Sequence, residues 1–218
     1  MTPVILLTDG YIANGAEPWK YPTEEQLPDI HVEFKTALAE GEESFMPYAR
    51  DEKGVRPWAV PGTKGFEHRI GGLEKENLTG NISYLPDNHE LMVKLRQEKI
   101  DRIADYVSEQ KFDSGAETGK VLVVGWGSTY GAIKSAVHEL QNQGKAVSHI
   151  HLRHLRPFPK NLGKLLKNFE TVLVPEINNG QLIKILRDQY LIDAKGYHKI
   201  KGVPITKTEL VDEINKYL

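Results

Sequence analysis

Val121-Leu122-Val123-Val124-Gly125-Trp126-Gly127-Ser128-Thr129-Tyr130-Gly131 is the stretch that decides the fold. Four apolar, mostly β-branched residues run into a Gly-x-Gly turn, and an amphipathic pattern begins at once behind it. The pattern predicts a strand, a tight turn and a helix. Ser128 is the expected N-cap, Ala132, Ile133, Ala136, Val137 and Leu140 form one apolar face, and Gly144 stands where a left-handed C-terminal cap is wanted. Gly125 and Gly127 let the backbone approach a neighbour or ligand closely, and the turn leaves helix N-terminal amides to face an anion. Gly125, Gly127, Ser128 and Thr129 are therefore the first candidate site residues.

A dinucleotide fingerprint fits this turn poorly. The third glycine of Gly-x-Gly-x-x-Gly falls at Tyr130, with Gly131 one position late. The acidic residue expected about twenty positions on is also missing, because the second strand ends in basic Leu152-Arg153-His154-Leu155-Arg156. Nicotinamide binding is the distant alternative, and a structural turn in an α/β layer the plain one.

With 218 residues, 39% of them hydrophobic, the chain can bury a real core as one large domain or a domain plus an appendage. A net charge of -2 gives no general attraction to nucleic acid or an anionic membrane. The absence of cysteine excludes disulfides, zinc-thiolate sites and thiolate-held iron-sulfur clusters in this chain. No apolar run reaches membrane-spanning length and no signal-peptide pattern precedes the first apolar run, so a soluble cytoplasmic protein is expected.

Val4-Ile5-Leu6-Leu7 has the composition of a buried strand, with Thr8-Asp9-Gly10-Tyr11 as its exit turn. Such a strand implies a sheet completed elsewhere, hence a fragment of a longer polypeptide with Met1 an added start; pairing within this chain is the alternative. From about 15 to 85, prolines at 18, 22, 28, 47, 57 and 61 and glycines at 62, 65, 71, 72 and 80 leave little room for regular elements. Asp87 then opens a long helix, with Glu90 in capping-box position and Leu91, Met92, Leu95, Ile100, Ile103, Ala104 and Val107 apolar. Three parts are expected: a loop-rich 1–85, a connecting helix 86–112 and an α/β domain 113–218.

Beyond 120 strands and helices alternate. A second strand is expected near 146–152, then a Pro157-Phe158-Pro159 turn and a helix with Leu162, Leu165, Leu166 and Phe169. Thr171-Val172-Leu173-Val174 reads as a third strand, and Leu182, Ile183, Ile185, Leu186 and Tyr190 as a third helical face. Thr206 and Glu209 form a capping box for a last helix carrying Leu210, Val211, Ile214 and Leu218. The expected fold class is α/β, a parallel sheet with flanking helices and ligands at the carboxyl ends of its strands. Those ends hold Gly125 to Thr129, Arg153 to Phe158 and Glu176 to Gln181.

Several blocks, in this order, closely resemble the 2-oxoacid:ferredoxin oxidoreductase family, in particular the alpha subunits of its 2-oxoglutarate-type members. They are Pro3 to Tyr11, His68-Arg69-Ile70-Gly71-Gly72-Leu73-Glu74, Gly125 to Gly131, Leu152-Arg153-His154-Leu155-Arg156-Pro157-Phe158-Pro159 and Val174-Pro175-Glu176-Ile177-Asn178-Asn179-Gly180-Gln181. The resemblance covers essentially the whole chain. It implies the C-terminal portion of the subunit: the tail of a pyrimidine-type thiamine diphosphate domain, then a domain similar to the transketolase C-terminal domain. It also implies oxidative decarboxylation of a 2-oxoacid with thiamine diphosphate, magnesium, coenzyme A and a ferredoxin or iron-sulfur centre, in an oligomer with a beta subunit. Gly-Asp-Gly followed by Asn, the magnesium pyrophosphate signature, does not occur here, and the family's catalytic glutamate lies upstream of Val4. No cofactor is thus expected on this chain alone, which is expected to be inactive in isolation. Lys75 stands where relatives often carry His.

Arg153, His154 and Arg156 are suited to a substrate carboxylate or a coenzyme A phosphate, because guanidinium binds such groups bidentately; subunit contact accounts for them equally well. Glu176, Asn178 and Gln181 are either a polar site or caps and turn residues. His149, His151 and His154 raise a metal cluster as an alternative to solvated strand-end histidines. Asp9, Tyr11 and Asn14 would follow the first strand, with partners on sequence outside this chain. The rival to an enzyme part is a noncatalytic α/β subunit-interaction module.

Overall fold

The computed structural model describes residues 2–218, so Met1 and its reading as an added start lie outside the described residues. The chain divides into two compact units, Ile5–Ala16 with Ala104–Leu218, and Met1–Val4 with Glu17–Ile103.

The first unit is the α/β layer. Its strands are β1 (Gly119–Trp126), β2 (Val147–Leu152), β3 (Phe169–Glu176) and β4 (Lys195–His198), all parallel, in the order β2-β1-β3-β4. Helices α3 (Tyr130–Asn142), α4 (Leu162–Lys167), α5 (Gln181–Tyr190) and α6 (Lys207–Asn215) follow the strands, and α1 (Gly10–Asn14) is a short helix near the N-terminus. Leu122 and Val124 pack with Ile150, Val172 and Val174 against Leu162, Leu166, Leu182 and Leu186. Val121 and Val123 point the other way, into Ile133, Ala136, Val137 and Leu140 of α3 and Leu210 and Ile214 of α6. Alternation along the strand thus feeds two cores, which is why Val121 to Val124 are all apolar. Each such side chain contributes on the order of 1.5–3 kcal/mol by leaving water.

The turn after β1 obeys two separate constraints. A Cβ on Gly125 would lie 2.7 Å from Ile133 Cδ1 and 2.8 Å from His151 Nδ1, whereas Gly127 has φ +58 with open space around it. Gly125 is demanded by packing, Gly127 by backbone conformation.

Local chemistry differs from the sequence expectation at identifiable places. Ser128 does not cap α3; residues 127–129 make one 3-10 turn, in which Thr129 Oγ1 accepts from Trp126 N (3.2 Å) and donates to Trp126 O (2.7 Å). Thr206 caps α6 as expected, accepting from Glu209 N while Glu209 Oε2 accepts from Thr206 N. Phe169 opens β3 instead of closing α4, because Gly119 and Phe169 pair across the sheet. Strand β4 carries no apolar run, and its residues alternate between half-buried and exposed. Backbone pairing to β3, its one strand neighbour, holds it at the sheet edge, with Tyr197 packed against the α3–α6 core.

Val4 to Leu7 form no strand. They are 62–91% exposed, since no strand edge among the described residues pairs with them and covers them. The Asp9 carboxylate accepts from Tyr11 N (3.0 Å), opening α1 where an exit turn was expected.

In the second unit, α2 (Pro86–Arg102) is shorter than the expected 86–112 helix, and one 3-10 turn, Ile103–Asp105, follows it. Leu85 is its N-cap and Pro86 its first residue, so Asp87 lies inside the first turn and Glu90 pairs with Lys94. The loop before it is clamped to α2. Glu74 pairs with Arg96 (2.9 Å) and His89 (2.7 Å), chiefly Arg96 pulling its carboxyl down to about 2, and Asn88 bonds Asn77 N and Lys75 O. Lys75 is buried and donates to the carbonyls of Gly71 (2.9 Å) and Leu73 (2.5 Å). Among the described residues 17–103, Phe66 and Met92 are the buried side chains of the apolar core, a small share beside the two clusters of the sheet unit.

Two measurements check this division. Gly125→Val and Gly127→Val are each expected to lower stability by about 1–3 kcal/mol, the first through overpacking and the second through a left-handed conformation imposed on a β-branched residue; unchanged melting of both contradicts the account. Limited proteolysis is expected to cut first between residues 15 and 60, where apolar side chains stand exposed and regular backbone bonding is sparse, and to leave a resistant piece beginning near residue 104. Equal protection of both units counts against it.

Candidate functional site

The carboxyl ends of the four parallel strands lie on one edge of the sheet, where the chain leaves the ladder and backbone amides become available. Register places Gly125 beside His151 and Trp126 beside Leu152, so the turn 127–129 and the segment beginning at Arg153 leave the sheet side by side. Gly125 and Thr129 are buried, Ser128 is half-buried and Gly127 exposed. Arg153, His154 and Arg156 are exposed, and the Arg156–Pro157 peptide bond is cis.

Glu176 ends β3 with no solvent exposure. Its Oε1 accepts from Leu182 N (2.9 Å) and its Oε2 from Ile183 N (3.2 Å), while Asn178 Oδ1 accepts from Gln181 N (2.9 Å). The carboxylate therefore satisfies two of the orphan donors at the start of α5, where the helix dipole also favours negative charge. His198 Nε2 approaches it to 3.9 Å. Glu176, Asn178 and Gln181 thus form one group, bonded into α5. Sequence reading missed His198, because β4 lacks the apolar pattern that marks a strand.

A second polar group lies on the α3 side of β2. His149 is fully buried, and the rings of Tyr130 and His151 stand 5.7 and 6.0 Å from its own; Tyr130 and His151 are 4.9 Å apart, edge to face. Both ring nitrogens of His149 and Nδ1 of His151 are buried without a hydrogen-bond partner. Burial pushes the His149 imidazole down to about 4 against the opposing charge of Asp113, with His151 and Lys134 adding to the shift. Burial also lowers His151. Both rings are neutral near pH 7. The exposed His154 takes no part, and among the described residues no group of three or more His, Cys, Asp or Glu is disposed to hold a metal ion.

A concavity of about 540 Å³ lies elsewhere, among Ser135, His138, Glu139, Asn142, Gln143 and Lys207. It is a shallow gap between surface side chains of α3 and the start of α6, spanned by the Lys207–Glu139 pair (2.6 Å), so the strand ends remain the better candidate. No helix among the described residues is long and apolar enough to cross a membrane.

Residues 119–207 match the family described as pyruvate:ferredoxin oxidoreductase core domain II. Over 218 residues, all of this chain and 32% of the relative, the sequence is 48% identical to the 2-oxoglutarate oxidoreductase subunit KorA of Mycobacterium tuberculosis (strain ATCC 25618 / H37Rv). It is 31% identical over 219 residues to the 2-oxoacid:ferredoxin oxidoreductase subunit alpha of Saccharolobus solfataricus, covering 98% of this chain and 34% of that one. Among solved structures it resembles the 2-oxoglutarate:ferredoxin oxidoreductase from Magnetococcus marinus with 2-oxoglutarate, coenzyme A and succinyl-CoA bound, with a TM-score of 0.80 and 28% identity over 90% of this chain and 34% of that chain. The chain spans about a third of the length of the curated relatives named here.

The depressed His149 value carries a stability consequence. An unfolded histidine takes up its proton near pH 6.5 and the folded one near 4, so the unfolded state binds more protons in that window. Stability is full above about pH 6.5 and falls as pH drops towards 4, by an amount on the order of 3 kcal/mol. Urea unfolding at a series of pH values checks this, and His149→Phe is expected to flatten the profile in that window.

Proposed function

Because the chain belongs to the 2-oxoacid:ferredoxin oxidoreductase family, we propose that it serves as part of the alpha subunit of such an enzyme, with 2-oxoglutarate as the substrate. The observation that carries the reading is the 48% identity to a 2-oxoglutarate oxidoreductase subunit across every residue of the chain. In the proposed reaction a 2-oxoacid loses carbon dioxide, its acyl group passes to the sulfur of coenzyme A, and two electrons leave to ferredoxin. A beta subunit and ferredoxin are the proposed partners, in an oligomer in the cytoplasm.

The donor sets of this chain do not fit the metal-bound or clustered groups of that reaction. Among the described residues there is no carboxylate-rich or histidine-rich group for a magnesium pyrophosphate, and there is no thiolate for an iron-sulfur cluster. We therefore assign this chain binding and assembly, and derive no bond-making step from it. Its polar contribution is the basic end of β2. Arg153 and Arg156 are exposed guanidinium groups leaving a rigid strand, suited to hold a carboxylate or phosphate in a fork of parallel hydrogen bonds. The glycine turn 125–129 stands beside them and offers backbone N–H groups. By contrast, the Glu176 group is occupied with α5, which favours a structural part for it. Subunit interaction is the second reading for the Arg153–Arg156 segment. The nicotinamide reading is displaced by the family to which the chain belongs.

The test compares the 218-residue chain with full alpha and beta subunits, measuring 2-oxoglutarate-dependent reduction of an electron acceptor. The chain alone is expected to be inactive, and turnover by it overturns the assignment. In the complete enzyme Arg153→Ala is expected to raise the Michaelis constant for 2-oxoglutarate or coenzyme A by an amount equivalent to about 1–3 kcal/mol. Weakened assembly with an unchanged Michaelis constant selects the subunit-contact reading.

A further inference from the structure

His151, the last residue but one of β2, packs against the Gly125–Thr129 turn. Register sets it beside Gly125, and its Nδ1 is so close to the Gly125 backbone that a Cβ there would meet it at 2.8 Å. The ring of Tyr130, the first residue of α3, closes on it edge to face at 4.9 Å. Its hydrogen bond with the Gly127 backbone favours the protonated ring, as only an acceptor does, so the Gly127 carbonyl accepts from the imidazole. Nδ1 is buried without a partner, which assigns the donating N–H to Nε2. One ring thus touches the turn at both of its glycines.

The two contacts fix the turn in one orientation. Gly127 has φ +58 with open space around it, and its carbonyl is held by His151, while Thr129 Oγ1 ties the other end of the turn to Trp126. The N–H groups of Gly127 and Ser128 then stand at a helix start, where no intrahelical carbonyl takes them. An anion meets them without first ordering the loop. The same contacts require His151 to be neutral. A second proton would sit on Nδ1, pressed against the Gly125 backbone with no acceptor in reach, as a buried charged donor. Of the charges that face the ring, Asp113 from the segment before β1 favours its protonation and Arg153 beyond β2 opposes it. Tyr130 and Lys134 of α3 and the buried His149 complete the titratable groups of this cluster. Burial outweighs Asp113 and holds His151 below the ordinary histidine range.

We propose that His151 is a positioning residue for the Gly125–Thr129 turn: its neutral ring holds the Gly127 peptide in the orientation that receives an anion, and its protonation releases the turn. The inference rests on the reading that this turn and Arg153 meet a carboxylate or phosphate of the ligand. It fixes the sign of the pH dependence. A histidine that touched the anion itself would bind it more tightly in acid, whereas a positioning histidine of this kind weakens binding in acid.

Two variants test the assignment. His151→Phe keeps a ring and removes both nitrogens, whereas His151→Gln offers an amide N–H to the Gly127 carbonyl and does not titrate. In the 218-residue chain, hydrogen exchange of the Trp126 N–H, which donates to Thr129 Oγ1, is followed by NMR. It is expected to speed up about threefold to tenfold in His151→Phe, the effect of one lost hydrogen bond, and to stay slow in His151→Gln. Circular dichroism checks that both are folded. In the complete alpha and beta enzyme, His151→Phe is expected to raise the Michaelis constant for 2-oxoglutarate or coenzyme A by a similar factor, and to change it more than the turnover number. The same constant is expected to rise in the wild type from about pH 7.5 to 5.5, and to stay level in His151→Gln. Should His151→Phe lose structure, this difference in pH profile carries the comparison. Unchanged Trp126 exchange in a folded His151→Phe, Michaelis constants that fall in acid, or one pH profile for wild type and His151→Gln overturns the proposal, whatever Arg153→Ala does. Faster exchange with Michaelis constants unmoved in both His151→Phe and Arg153→Ala overturns the ligand reading of the turn, and the positioning role with it.

Discussion

Burial of Val121 to Val124 on both faces is the constraint on which the rest of the sheet unit depends. Leu122 and Val124 face one helical layer and Val121 and Val123 the other, and β1 pairs with β2 on one side and β3 on the other. Parallel neighbours on both sides then require each strand to leave the sheet at the same edge and return through a crossover helix. That requirement gathers the Gly125–Thr129 turn, the Arg153–Arg156 segment and Glu176 along one rim. Residues more than 50 positions apart thereby become part of one face of a rigid support.

The two buried polar groups near that rim are handled in opposite ways. Glu176 keeps its place through two amide N–H groups and the dipole of α5, which offset much of the cost of removing a carboxylate from water. His149 has no such partners, and burial leaves it neutral well below the usual histidine range. Glu176 thereby ties the end of β3 to α5. His149 instead makes the β2–α3 packing sensitive to acid. Beyond both, Arg153, His154 and Arg156 stand exposed where β2 leaves the rigid sheet.

The other unit owes its order to different forces. With Phe66 and Met92 as its buried apolar side chains, it is held mainly by hydrogen bonds and ion pairs that clamp residues 71–83 to α2. Trp19, Tyr21 and Ile30 of this unit remain exposed.

By itself the sequence determined the strands and helices whose burial is continuous. β1, β2 and β3, the apolar stripes of α3, α5 and α6, and the Thr206–Glu209 capping box were legible because each reports a local period or a contact a few residues long. The family was legible as well, through ordered blocks spread over the whole chain. Tertiary structure alone decided the rest. Val4 to Leu7 have a strand's composition, yet a strand exists only where another edge accepts its backbone. β4 has no strand composition and exists because β3 offers such an edge. Gly125 is needed because Ile133 and His151 return to within contact of it, and His198 reaches Glu176 through the same edge pairing. These outcomes depend on partners distant in sequence, which no local pattern of side chains encodes.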